Sequence, residues 1–145
     1  MRFAIKLGLA LVFVPSTISA VEVLDTLPFA KGRYAIESDC KHLQEFEAKG
    51  ESFNLENSAW HLESGGFTDG WESSCTFHAV FLKDNRATAH AVCISGAQSW
   101  PRLYLLEKEE RGGETADIIV WSGEDTNNPD NDLQGDVYSW CPKGK

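Results

Sequence analysis

WESSCTFHAVFLKDNRATAHAVCI, residues 71–94, is the stretch whose reading decides the fold. Two runs rich in Thr, Val, Phe and Ala flank the polar cluster Lys83-Asp84-Asn85-Arg86, a pattern that predicts two long antiparallel strands around a tight turn. Setting Cys75 opposite Cys93 pairs Phe77 with Ala91, Ala79 with Ala89 and Phe81 with Ala87, and that face is uniformly apolar. The other face carries Thr76, His78 and Val80 against Val92, His90 and Thr88. One register thus explains both the alternation and the cysteine spacing.

Outward from this hairpin, further short strands are legible. Gly32 opens a strand in which Tyr34 and Ile36 share a face. Asp39 is placed to cap a helix, because Leu43 and Phe46 recur at helical spacing and Lys49-Gly50 reads as a stop. Phe53 and Leu55 alternate, Asn57-Ser58 turns, and Trp60 and Leu62 alternate back, so Leu55 pairs with Trp60 and Phe53 with Leu62. Ser64 to Gly70 is too rich in glycine for a strand and reads as a loop, as does Ser95 to Pro101. Leu103 to Lys108, Ala116 to Ser122 and Asp136 to Cys141 supply the last strands, separated by a charged turn around Gly112-Gly113 and a polar loop from Gly123 to Gly135. Eight strands with mostly tight connections predict an all-β, mainly antiparallel meander closed or nearly closed into a small barrel, with one short helix after the first strand. An open sandwich is the competing architecture.

Composition fixes the setting. Met1 to Ala20 has a short basic head (Arg2, Lys6), an apolar run from Leu7 to Val14 and the small-residue end Ile18-Ser19-Ala20, the layout of a secretory signal that is removed. The run is far shorter than the ~20 residues that span a bilayer. Residues 21–145 then form a single domain carrying 11 basic against 22 acidic side chains. A binder of nucleic acid or anionic membrane needs a basic footprint, so a cationic partner is expected instead. The four cysteines all follow the leader; an even count in a short exported chain predicts two disulfides, assigned as Cys75–Cys93 across the hairpin and Cys40–Cys141 from the first strand's exit to the last strand's end.

Chemistry is harder to find. His78 and His90 become cross-strand neighbours in the register above, yet two ligands are too few for a metal centre. Asp130-Asn131-Asp132-Leu133-Gln134-Gly135-Asp136 echoes the first half of a calcium loop, but its twelfth position is Cys141 where a bidentate Glu is needed. No serine, cysteine or histidine stands in a nucleophile context, so neither an enzyme nor a cofactor is expected. Aromatic residues near the irregular loops suggest recognition: Phe67, Trp71 and Trp100, ringed by Asp69 and Glu72, would make a contact surface for a basic protein if both loops lie at one rim.

The export signal, the acidic mature chain, the two expected disulfides and the Gly32-x-Tyr34 opening of an eight-strand meander are together similar to the small periplasmic β-barrel inhibitors of bacteria, lysozyme inhibitors above all. That resemblance implies a periplasmic or secreted protein that pushes a short Ser-Gly loop with a nearby aromatic into the cleft of a strongly basic lysozyme. Ser64-Gly65-Gly66-Phe67, and Ser95-Gly96 with Trp100, are the nearest counterparts here, and neither reproduces the family's pattern closely. Two other readings stand beside it. One is a small-ligand carrier of lipocalin type with a cavity lined by Phe77, Phe81 and Leu103; the other is an inhibitor of an exported protease acting by a similar insertion.

Overall fold

The computed structural model describes residues 21–110, 116–122 and 135–144. The expected leader, the expected turn around Gly112-Gly113 and most of the expected polar loop 123–135 lie outside the described residues. Among those described there are nine strands and one helix: β1 (Glu22–Leu24), β2 (Tyr34–Ala35), α1 (Glu37–Ala48), β3 (His61–Glu63), β4 (Gly66–Thr68), β5 (Ser73–Lys83), β6 (Arg86–Ser95), β7 (Gln98–Glu109), β8 (Asp117–Ser122) and β9 (Asp136–Trp140). All pairings are antiparallel. From β5 they run through β4, β3, β2, β9, β8, β7 and β6 back to β5, closing an eight-stranded barrel. β1 lies outside that ring, beside the half of β5 that β4 leaves free. Closure pairs the edges that an open sandwich would expose.

The hairpin β5–β6 has the predicted turn and the predicted disulfide, but not the single register expected between them. Cys75 faces Cys93 and Phe77 faces Ala91, whereas Lys83 faces Arg86 and Leu82 faces Ala87. Partner numbers in an antiparallel pair add to a constant, and these two ends differ by one. The two-residue loop Asp84-Asn85, with Asp84 at φ 57°, and the cysteine pair can coexist only if β5 carries one extra residue. His78 is that residue, since the register shifts between Phe77 and Ala79. Beyond the bulge the faces exchange: Val80 is buried and Phe81 turns outward, and His90 faces Ala79 instead of His78. The expected histidine pair is therefore not formed. A bulge also bends and twists its strand, as barrel closure requires.

Three further expectations are corrected. The stretch 53–62 is not a hairpin, because Asn54 accepts hydrogen bonds from the backbone N–H groups of Glu56 and Asn57 (2.8 and 3.0 Å) and turns the chain earlier than Asn57-Ser58. Phe53 then meets Phe46 of α1 edge-on, and Leu55 is left in solvent. The glycine-rich stretch 64–70 instead supplies β4. Gly66, at φ 139°, lies so close to β5 that a Cβ would run into the carbonyl oxygen of Cys75, so glycine here permits a strand. Likewise Ser95 faces Gln98 across the two-residue turn Gly96-Ala97, and the expected loop 95–101 is mostly the start of β7.

The barrel interior is packed with rings. Phe67, 2% exposed, lies 4.6 Å from Tyr104, 5.6 Å from Tyr138 and 5.9 Å from Phe77, centroid to centroid, with the Cys75–Cys93 disulfide and the Tyr104 hydroxyl close by. Burying a side chain of this size stabilises by ~3 kcal/mol. A second core lies outside the barrel: Ala35 faces away from Tyr34 and meets Leu43 and Phe46 of α1, beside Cys141. α1 starts two residues before Asp39, so Asp39 sits in its first turn, where a carboxylate suits the helix dipole, instead of capping it. The Cys40–Cys141 disulfide fastens the helix to the end of β9. Both disulfides are the expected ones, and they suit an oxidising compartment.

Candidate binding rim

One end of the barrel is formed where β4 runs into β5 and where β6 turns into β7. The connection between β4 and β5 is fixed from within. Asp69 Oδ1 accepts the backbone N–H groups of Trp71 (2.8 Å) and Ser73 (3.0 Å), and Asp69 N–H donates to the Ser73 carbonyl (3.0 Å). The Gly70 N–H donates to Thr68 Oγ1 (2.9 Å). Gly70 takes φ 78° with the Phe53 ring against its Cα, which leaves no space for a side chain. This is an Asx-type turn with both exits pinned, and it projects Trp71, 54% exposed, and the exposed Glu72.

The second half of the rim is the Gly96-Ala97 turn, joined to the first by a 3.0 Å hydrogen bond between the Ser73 and Ser95 hydroxyls. No lysine or arginine occurs in 69–73 or 95–99, so the rim presents an indole and a carboxylate with no cation among its own residues. Trp100 faces Cys93, points inward just below this turn and packs against the barrel core, half-buried.

The rim therefore gathers Asp69, Trp71, Glu72, Ser95 and Gly96, with Trp100 beneath, and leaves out the other expected segment. Ser64 and Gly65 form the β3–β4 turn, which points away from this end because β4 is antiparallel to β5. There Ser64 O accepts the Leu27 N–H at 2.7 Å and Gly65 O accepts the Phe77 N–H at 2.9 Å. Gly66 and Phe67 belong to β4, and Phe67 is the centre of the core instead of a contact residue. The expected aromatic cluster of Phe67, Trp71 and Trp100 is thus divided between interior and rim. The expected carrier cavity is divided too: Phe77 is interior, whereas Phe81 and Leu103 lie on the outer wall.

Several structural residues gave no signal in the sequence. Arg33, buried, donates to both carboxylate oxygens of Glu47 (2.6 and 3.0 Å) and to the carbonyls of Cys141 (3.3 Å) and Pro142 (3.2 Å). Gly144 N–H donates to the same carboxylate at 2.8 Å, and the Arg33 hydrogen bonds hold its pKa below the usual glutamate value. His61 is buried on the outer face of β3, stacked on Phe53, with Nδ1 2.9 Å from the Ala59 carbonyl. A carbonyl only accepts, so Nδ1 carries the proton. Among the described residues no three His, Cys, Asp or Glu side chains are grouped to hold a metal ion, and no helix is long and apolar enough to cross a membrane.

Fold and site together define a small closed antiparallel barrel with an external helix and one rigid aromatic loop at its rim. No protein family, curated protein or solved structure matches the chain.

Proposed function

We propose that this chain is an exported, periplasmic binding protein that inhibits a lysozyme by inserting the 69–72 loop into the enzyme's cleft. The observation that carries the reading is Trp71, a large ring held out in solvent on a loop whose backbone is already fixed by its own hydrogen bonds. Interface energy concentrates in tryptophans of this kind, and a loop ordered before binding loses little entropy when it docks. The 22 acidic against 11 basic side chains of residues 21–145 support a strongly basic target by steering the encounter.

The test is a lysozyme turnover assay with excess purified protein. Inhibition is expected, weakening as salt is raised from about 50 to 500 mM because steering is screened. Trp71→Ala should fold normally and lose at least ~10-fold in affinity. Full enzyme activity at both salt concentrations would remove the reading. Inhibition of an exported protease in a parallel assay would keep the loop mechanism and change the target.

A further inference from the structure

The barrel's outer wall is covered on one side only. α1 and Phe53 cover β2 and β3, whereas among the described residues no helix or further strand packs over the outer face of β5, β6 and β7. The sequence arms that face with apolar side chains in registered rows. Val23 faces Phe81, Phe81 faces Thr88, and Thr88 faces Leu105, so three exposed hydrophobic residues lie in one line across four strands. His90, whose ring meets Phe81 at 5.6 Å, faces Leu103 in the next row, and Val92 and Ile94 continue the face along β6. Apolar side chains set this densely on an exposed sheet mark an association surface.

We propose that a second copy of this chain covers the wall, in a reversible two-fold dimer packed sheet against sheet. Two properties select that occupant. The first is charge. In a chain of net charge −9, the outward positions of β5–β7 from the bulge to the rim hold no carboxylate, and formal charges begin only at the turn end with Lys83, Arg86 and Glu107. Two acidic copies repel each other wherever carboxylates meet, and here they do not meet. A basic partner would find carboxylates to pair with only at the turn end, where Glu107 already meets Arg86. The second is area. Three strands ~4.8 Å apart along the ten residues of β6 give roughly 500 Å² per copy, about 1,000 Å² in total, the lower bound for a specific interface. Such a dimer is weak, and it leaves the 69–72 loop free, so it stands independently of the inhibitor reading.

Sedimentation velocity of the full exported protein, from about 5 µM to 1 mM at low and high salt, tests the proposal. A monomer–dimer equilibrium in the tens to hundreds of micromolar is expected, tightening as salt screens the repulsion between copies. Leu105→Glu, at a position already half exposed, should weaken it ~10-fold or more, while Leu55→Glu, on the exposed loop after α1, should leave it unchanged; circular dichroism confirms that both variants fold. A protein monomeric at 1 mM in high salt overturns the proposal. So does a dimer that survives Leu105→Glu, or one that loosens as salt is added.

Discussion

Arg33 and Glu47 show how much one pair of side chains can organise. The guanidinium bridges the start of the barrel to the helix, and the carboxylate also receives the backbone of the C-terminal tail, so three segments meet at one partly buried contact. Removing Arg33 would leave a partly covered carboxylate without its cation, and Arg33→Ala should cost ~1–3 kcal/mol in chemical denaturation. The pair also sets an acid limit. Because the Glu47 pKa is lowered in the folded protein from its ordinary value of 4.5, its contribution is fully present above that value and is lost as pH falls through the folded pKa. Melting curves between pH 6 and pH 3 should show the wild type losing its margin over Glu47→Gln as acid is added; parallel curves would contradict this. Gly66 is a second single-residue dependence. Its φ of 139° and the Cys75 carbonyl beside it admit no side chain, so Gly66→Ala should destabilise by several kcal/mol or abolish folding, as read by circular dichroism of the expressed protein.

At the scale of elements, the two disulfides constrain loops of very different length, with sequence separations of 18 and 101. In the chain-entropy account they contribute about 3 and about 4.7 kcal/mol. The double variant Cys40→Ala/Cys141→Ala should therefore lose more stability in urea than Cys75→Ala/Cys93→Ala, unless the cavity left in the ring-filled core offsets the difference; the reverse order would assign the larger share to packing. The same elements show what could be read in advance. Closure, strand direction, both cysteine pairs and the stop of α1 at Gly50 followed from alternation, turn residues and capping. The bulge did not, because two local signals, a tight turn and a cysteine pair, each fixed a register and only their parity conflicted. β4 runs against the reading of 64–70 as too rich in glycine for a strand, because Gly66 serves close approach to Cys75. At the rim, Trp71 and Glu72 were legible as exposed residues beside a loop, but the role of Asp69 as the cap that holds Trp71 out needed coordinates. Phe67 looked like a loop aromatic only while its strand went unrecognised.

The whole molecule is lopsided. One flank of the barrel carries the helix, the opposite flank is an apolar wall that no other described element covers, and the rim between β4–β5 and β6–β7 holds the indole and the acid. Net charge then acts differently on the two proposed contacts: it draws a basic enzyme to the rim and, through the molecule's overall acidity, opposes the approach of identical copies although none of it lies at the centre of the wall. Raising salt should weaken inhibition and strengthen self-association in the same preparation, so turnover assays and sedimentation run side by side separate the two effects. Self-association that weakened along with inhibition as salt was raised would overturn the dimer at the wall.

β1 joins β5 on the half farthest from the rim, and β9 runs away from the rim to the tail anchored by Arg33 and Glu47. Both described ends of the polypeptide are thus posterior to Trp71. A reporter, bead or anchoring graft fused at either end should leave the indole facing outward, and an immobilised array of the protein would offer every copy's tryptophan to the solution above it.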